Sequence, residues 1–424
     1  GAQADRQAAT ARRVSRQGAF DLNLLSGSDF QRYNSTSQRG KNVTLTTTDA
    51  GAELLLRNGV RLYAGARLNT GAVKAPDSST GTGGEYVVGV RVPLFRGFGA
   101  NPRAASEQQA ILGEPLATEQ FRRTRLDVLE DAGSAYWNWV AAGQRLQVAR
   151  NLLRVAEVRA EALSKRAELG DIPRVDAIEA GQEVARRQGL LIQAERGLQQ
   201  AGFRLAGFRW EGSGSPAPVP TEAEVPPVST LPEPEPISAA MVETARNAAL
   251  ATRPEVPANA LQTRIARVDR DLAQNDTKPQ VDFLFQPGAD TGNKSIGDTL
   301  KVGFQFSLPL ERRDATGRRD EADLRLERLS QDAALLRRQI VLEVDDAVSA
   351  VNRAAERDNA TVRERDLAQQ VENRERDRLR LGEGTVFLLN QRERTTAEAA
   401  QKVIDSRAEY FQAVLSLQVA TGEL

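Results

Sequence analysis

Cysteine and histidine are both missing from this 424-residue chain. Their absence removes thiolate and imidazole chemistry and the usual zinc sites, and leaves carboxylates as the remaining acid–base groups. A chain without cysteine also suits an oxidising compartment. No run of about 18 apolar residues occurs, so no transmembrane helix is encoded, although a strand-built span leaves a far weaker signal. Neither charge dominates: 57 basic residues face 57 acidic ones. That balance excludes a basic field for nucleic acid and an acidic tail. The chain opens at Gly1 without an initiator methionine or an apolar leader, as expected of a processed or truncated protein.

What is there is said twice. In each half a short alternating strand ends in a proline–leucine step, Val92-Pro93-Leu94 and Leu308-Pro309-Leu310. A long charged helix follows, closing on Leu169-Gly170-Asp171 and on Leu381-Gly382-Glu383, and a second helix returns. A unit of this length is not a solenoid repeat of about 20–50 residues. The expected division is a first repeat over 1–210 (strands within 19–96, helical hairpin 100–210) and a Pro-rich segment over 211–236. A second repeat then spans 237–424 (strands within 280–309, hairpin 314–424).

Along the chain, residues 1–17 read as the last turns of a helix stopped at Gly18. Phe20, Leu22 and Leu24 then alternate with polar neighbours, and a Ser/Thr-rich stretch follows. Asn58-Gly59 suits a tight hairpin turn with positive φ angles, and Val60, Leu62, Ala64, Ala66 and Leu68 share one face beyond it. A flexible loop over 77–84 leads to Tyr86, Val88, Val90 and Val92. In the second half Val281, Phe283 and Phe285, then Val302, Phe304, Phe306 and Leu308, carry the same alternation. Helical period runs over 101–165, roughly 95 Å at about 1.5 Å per residue, and again over 316–379. Tyr136, Trp137 and Trp139 sit in the middle of the first rod, where packing between helices is expected rather than a membrane-interface belt.

A strand with one apolar face needs a cover, and the helices available are charged rods with narrow apolar stripes. Lipid is the better cover. An open sheet edge is not tolerated in lipid, so several subunits are expected to contribute strands to one closed sheet.

These features resemble the outer-membrane efflux protein family, the TolC-like channel-tunnels of Gram-negative bacteria. The resemblance is carried by Val92 to Gly99, Ala135-Tyr136-Trp137, Arg166 to Gly170, Ala251 to Val256, Ser307-Leu308-Pro309-Leu310, and the tail from Arg380 to Gly422. Order, spacing and duplication make it specific. It implies a mainly α fold with a small β part: a homotrimer with four strands per subunit in a twelve-stranded β-barrel, continued by a long α-helical barrel. Residues 211–236 correspond to its equatorial strap. It further implies a passive exit duct of a tripartite efflux or type I secretion system, set in outer-membrane lipid with a periplasmic extension, and partnered by a periplasmic adaptor and an inner-membrane transporter. Neither an enzyme activity nor a cofactor is expected. The N-terminal counterpart of the helices at 237–278 is expected to lie outside this chain, as is a lipid anchor.

The resemblance places an adaptor-docking tip at Arg166, Leu169, Gly170, Asp171, Arg378, Leu381, Gly382 and Glu383. From the residues alone, each glycine is a helix cap with arginine at a helix C-terminus, and both readings stand together. Aperture positions of the family fall on Asp176 and Glu179 in the first half and on Leu388 and Gln391 in the second. Rings of carboxylates would hold cations, and rings of leucine would close a lumen by dewetting. Solvated helix faces and a coiled-coil seam are the alternative at those positions. For the whole chain the alternative is a periplasmic or extracellular coiled-coil scaffold with no pore.

Overall fold

The computed structural model of the chain describes residues 1–34, 40–72, 79–212 and 214–424. Its elements run α1 (Ala2–Gln17), β1 (Asn23–Asn34), β2 (Asn42–Leu55), β3 (Arg61–Gly71), β4 (Gly84–Pro93), α2 (Pro102–Glu168) and α3 (Arg174–Ala206). Then follow α4 (Ala239–Thr252), α5 (Glu255–Asp276), β5 (Gln280–Thr291), β6 (Asp298–Ser307), α6 (Arg313–Arg380) and α7 (Val386–Thr421). Two compact units result, residues 1–121 with 255–335, and residues 122–254 with 336–424. Helices α2 and α6 each give one segment to each unit.

In the first unit all six strands form one antiparallel sheet in chain order. The resemblance implies four strands per subunit; the sheet has six. The turn after Leu55 joins two long strands, and the Ser/Thr-rich stretch beyond Leu25 supplies most of β1 and β2. Threonine there is polar but β-branched, and it fits a pleated surface. The turn itself differs from a two-residue hairpin. Only Gly59 has positive φ, and a five-residue loop closes through the Leu56 N–H to the Val60 carbonyl at 2.8 Å. A Cβ on Gly59 would lie 2.2 Å from the Gly97 carbonyl oxygen, so this loop is docked on the segment leading into α2.

Register puts Leu24, Ala52, Ala64 and Val88 in one row, and Leu54, Leu62, Val90, Phe285 and Val302 in the next. This face carries charge only at Arg32 and Asp298, near one end of β1 and β6. Many of its large side chains are exposed, from 37% at Leu68 to 81% at Leu24, with Phe304 at 71%, while Leu54, Val90, Val92, Val281 and Phe283 are half-buried. Among the described residues no helix covers them. The opposite face carries Asp29, Asp49, Glu53, Arg61, Arg67, Glu85, Arg91, Asp282 and Lys301.

At the strand ends remote from the helices, Asp290 accepts from the backbone of Gly81 (2.7 Å) and Ile296 (2.9 Å). Gly83 donates to the Thr291 carbonyl at 2.9 Å. The described part of the 77–84 loop is therefore tied to the β5–β6 connection rather than free, because a buried carboxylate needs donors and backbone amides supply them. Asp77 and Ser78 lie outside the described residues, as does Ser213 of the Pro-rich segment.

Also in the first unit, Asn101, whose Oδ1 accepts the Ala104 N–H at 2.9 Å, starts α2, and Pro102 occupies the first helical position. Helix α2 runs for 67 residues. The second unit is helical. Trp139, Val140, Leu146, Leu198 and Leu205 form one core cluster between α2 and α3. Val351, Ala355, Tyr410 and Phe411 form another between α6 and α7. Trp137 joins the two, its ring stacked on Phe411 at 4.1 Å, as expected of mid-rod aromatics. Residues 207–238 cross these helices. Val219 lies over Gly202 of α3, Val225 over Gly143 of α2, Tyr410 of α7 donates to the Glu235 carbonyl at 3.0 Å, and Ile237 donates to Asn352 of α6 at 2.7 Å. Proline-rich chain has few amides of its own to satisfy, so side chains of the helices take the remaining ones.

Candidate functional site

The two hairpin turns are built alike down to their hydrogen bonds. After α2, Asp171 donates to the Arg166 carbonyl (2.9 Å) and Gly170 to that of Ala167 (3.2 Å); after α6, Glu383 donates to Arg378 (2.9 Å) and Gly382 to Leu379 (3.2 Å). Both glycines lie in the left-handed region, at φ +80° and +81°. Each turn is a Schellman motif, and it answers the carbonyls that a helix end leaves unpaired. A Cβ on either glycine would meet nothing within 4 Å, so backbone conformation alone selects glycine there. Gly384 is different. A Cβ on it would lie 2.9 Å from Glu375 Oε1 and 3.0 Å from the Leu379 nitrogen.

The restart of each second helix is where the halves diverge. Thr385 caps α7 by accepting the Leu388 N–H at 3.2 Å, whereas Pro173 precedes α3 and offers no side-chain cap. Pro173 is the residue just before the first turn of α3.

The predicted tip residues are open to solvent, with Leu169 at 78% and Leu381 at 75% exposure. Arg378 reaches Glu375 (3.4 Å) and the Glu383 carbonyl (3.2 Å). Among the described residues Arg166, Asp171, Asp176 and Glu179 make no side-chain hydrogen bond or ion pair. Asp176 and Glu179 are half-buried on the first turns of α3; on α7 Leu388 is half-buried and Gln391 exposed. Neither pair is joined to the other by a side-chain bond. Val175, Ile178 and Phe387 add exposed apolar side chains to the same two turns.

Further along, a buried charge cluster ties the hairpins together. Arg187 of α3 is wholly buried and donates to Glu183 (2.8 Å), to Glu393 of α7 (2.8 Å) and to the Leu152 carbonyl of α2 (2.8 Å). Glu183 also accepts from Arg186 (2.7 and 2.9 Å) and from Arg394 of α7. Glu393 accepts from Arg159 of α2, which reaches Asn390 as well, and Arg376 of α6 approaches it at 3.8 Å. Four helices meet in one network. Burial by itself raises the Glu183 pKa, but the hydrogen bonds from Arg186, Arg394 and Arg187 outweigh it and bring the group down to about 2.

Sequence reasoning missed this cluster. Its only local sign is Glu183 three and four residues before Arg186 and Arg187, and such spacings recur all along these helices. The partners in α7 lie more than 200 residues away.

No protein-family model matches the chain, and no curated protein matches it. Solved structures do. The chain is similar to CusC, described as forming a transmembrane channel, over 99% of its own length and 87% of that chain (TM-score 0.74, 14% identity). It is similar to the Campylobacter jejuni outer-membrane channel CmeC over 99% and 82% (0.71, 12%). It also resembles the Vibrio cholerae outer-membrane protein VceC over 99% and 92% (0.69, 16%). At these identities the likeness shows a shared fold, that of outer-membrane channels with a small antiparallel sheet and long helical hairpins.

Proposed function

We propose that this chain is the outer-membrane exit duct of a tripartite efflux or secretion system in a Gram-negative bacterium, energised by a separate inner-membrane transporter. One observation carries the reading: a face spanning all six strands that is charged only at Arg32 and Asp298, and whose apolar side chains no helix covers among the described residues, is backed by a polar, charged face. Lipid fits the first and a water-filled lumen the second. Within the described residues β1 and β6 each leave an edge unpaired, and closure in lipid requires other copies of the chain. Three copies of a six-stranded sheet give eighteen strands, a number that leaves an aqueous channel. Similarity to outer-membrane channels supports this assignment. A scaffold without a pore would leave the apolar face unexplained.

In this reading the turns at Gly170 and Gly382 form the periplasmic tip. Arg166, Leu169, Asp171, Arg378, Leu381 and Glu383 meet the adaptor, and Asp176, Glu179, Leu388 and Gln391 line the aperture. Glu183 stands nine residues past the start of α3, about 14 Å, so the cluster around Arg187 pins the hairpins and leaves only their last turns free to move. Transport is passive, and no catalytic group or cofactor is called for.

The test is extraction and conductance of the full chain. A detergent-dependent trimer that conducts in planar bilayers is expected, with Leu388→Ser raising conductance. A water-soluble monomer without conductance refutes the duct; an unchanged Leu388→Ser removes that residue from the gate.

A further inference from the structure

We propose that the polar face of the sheet holds a binding site for a small multivalent oxyanion, a phosphate or polycarboxylate, centred on Arg61 and Arg91. These two arginines are direct cross-strand partners on β3 and β4. Opposed side chains have Cβ atoms about 4.5–5.5 Å apart, and like charges in that relation destabilise a sheet unless something lies between them. Among the described residues no carboxylate bridges the two. Arg61 finds only Glu53, at 3.8 Å, and Arg91 forms no ion pair among the described residues.

The pair lines a cavity of about 460 Å³ together with Arg96 and Arg103. That volume suits a small molecule. Its wall contains two carboxylates: Asp276, shared between Arg96 of the same wall (3.2 Å) and Arg318 outside it (3.3 Å), and Asp282, which accepts from Gln280 (3.1 Å). Four guanidinium groups against two carboxylates leave a positive surplus within the cavity, with Arg91 and Arg103 uncommitted. Paired guanidinium forks match the oxygen geometry of phosphate and carboxylate, and they repel cations. Because Arg61 and Arg91 lie on the face opposite the apolar one, the anion arrives from water and not as a lipid headgroup. The site stands on this geometry alone; its role in selecting anionic cargo rests on the duct reading.

Pyrophosphate and citrate are the probes, titrated calorimetrically into the detergent-solubilised full chain at constant ionic strength. Saturable binding is expected, weakened about tenfold or more in Arg91→Gln and further in the Arg61→Gln/Arg91→Gln double variant. Relief of the like-charge contact should leave Arg91→Gln as heat-stable as the parent or more so without anion, which separates lost binding from lost fold. Equal affinity in parent and double variant, or no saturable binding by the parent, overturns the site. In planar bilayers under a KCl gradient the parent should be more anion-permeable than the double variant. A parent that binds pyrophosphate yet never conducts supports the site and refutes the duct.

Discussion

Replacing Glu183 with glutamine keeps the side chain's shape and removes the charge on which Arg186, Arg187 and Arg394 converge. Breaking a buried ion pair from one side costs about 3–5 kcal/mol, because the partner is left charged in a poor solvent. The fall of the Glu183 pKa from an ordinary 4.5 to about 2, caused by the same guanidinium contacts, is of the same order, about 3 kcal/mol. Because the folded-state pKa is depressed, this stabilisation is fully present above about pH 4.5 and is lost as pH falls toward about 2. Hydrogen–deuterium exchange at amides of α3 and α7 flanking the cluster, corrected for intrinsic rates, reads it directly. At pH 7 the variant should lose about two to three orders of magnitude in protection, and the gap should close as pH drops through 4 to 2. A variant as protected as the parent at pH 7, or a gap undiminished at pH 2, refutes the assignment of this cluster as a pin. Converting Glu183, Arg187, Glu393 and Arg159 together to aliphatic residues should be milder than the single change, since the remaining arginines of the cluster, Arg186, Arg376 and Arg394, reach solvent.

Three other outcomes are expected. On β6, Phe304→Arg should cost about 2–4 kcal/mol while Gln305→Arg, one residue along and on the opposite face, costs little; equal losses of folded material in heat-denaturation gels deny the lipid-facing assignment. Gly382→Val forces a β-branched residue to φ +81° and should destabilise the turn by about 1–2 kcal/mol, whereas Gly382→Asn keeps the cap. Export that fails in Gly382→Asn with trimers intact points to docking at that surface, and normal export in both variants removes the tip role. Gly143→Val puts a Cβ 2.6 Å from the Val225 side chain and should lift the crossing segment off α2. Its readout is cleavage at Glu222 or Glu224 by a glutamate-specific protease, with resistance equal to the parent counting against the contact.

Alternation at Tyr86–Val92 and at Val302–Phe306, the rods between proline–leucine and leucine–glycine steps, and the two capped turns were all legible in residue order. They are local: a period of two, a period of 3.6 and a glycine needed for positive φ each act within a few residues. The strand count shows the limit of analogy. Five alternating segments were readable and the family likeness implied four strands, while the sheet has six. The Thr-rich course of β2 escaped reading because its character as strand comes from pairing with β1 and β3 rather than from hydrophobic contrast.

The amino-acid order alone therefore determined which segments are strand or rod, where each rod turns back, and that one sheet face must avoid water. Only the tertiary structure decided which charges meet. Arg187 joins Glu393 across 206 residues and Arg61 faces Arg91 across 30, and both depend on helix packing and strand register. In a chain with 114 charged side chains, no local pattern distinguishes a solvated arginine from one that is buried or left facing its like, because burial and opposition are properties of neighbours that the backbone brings together.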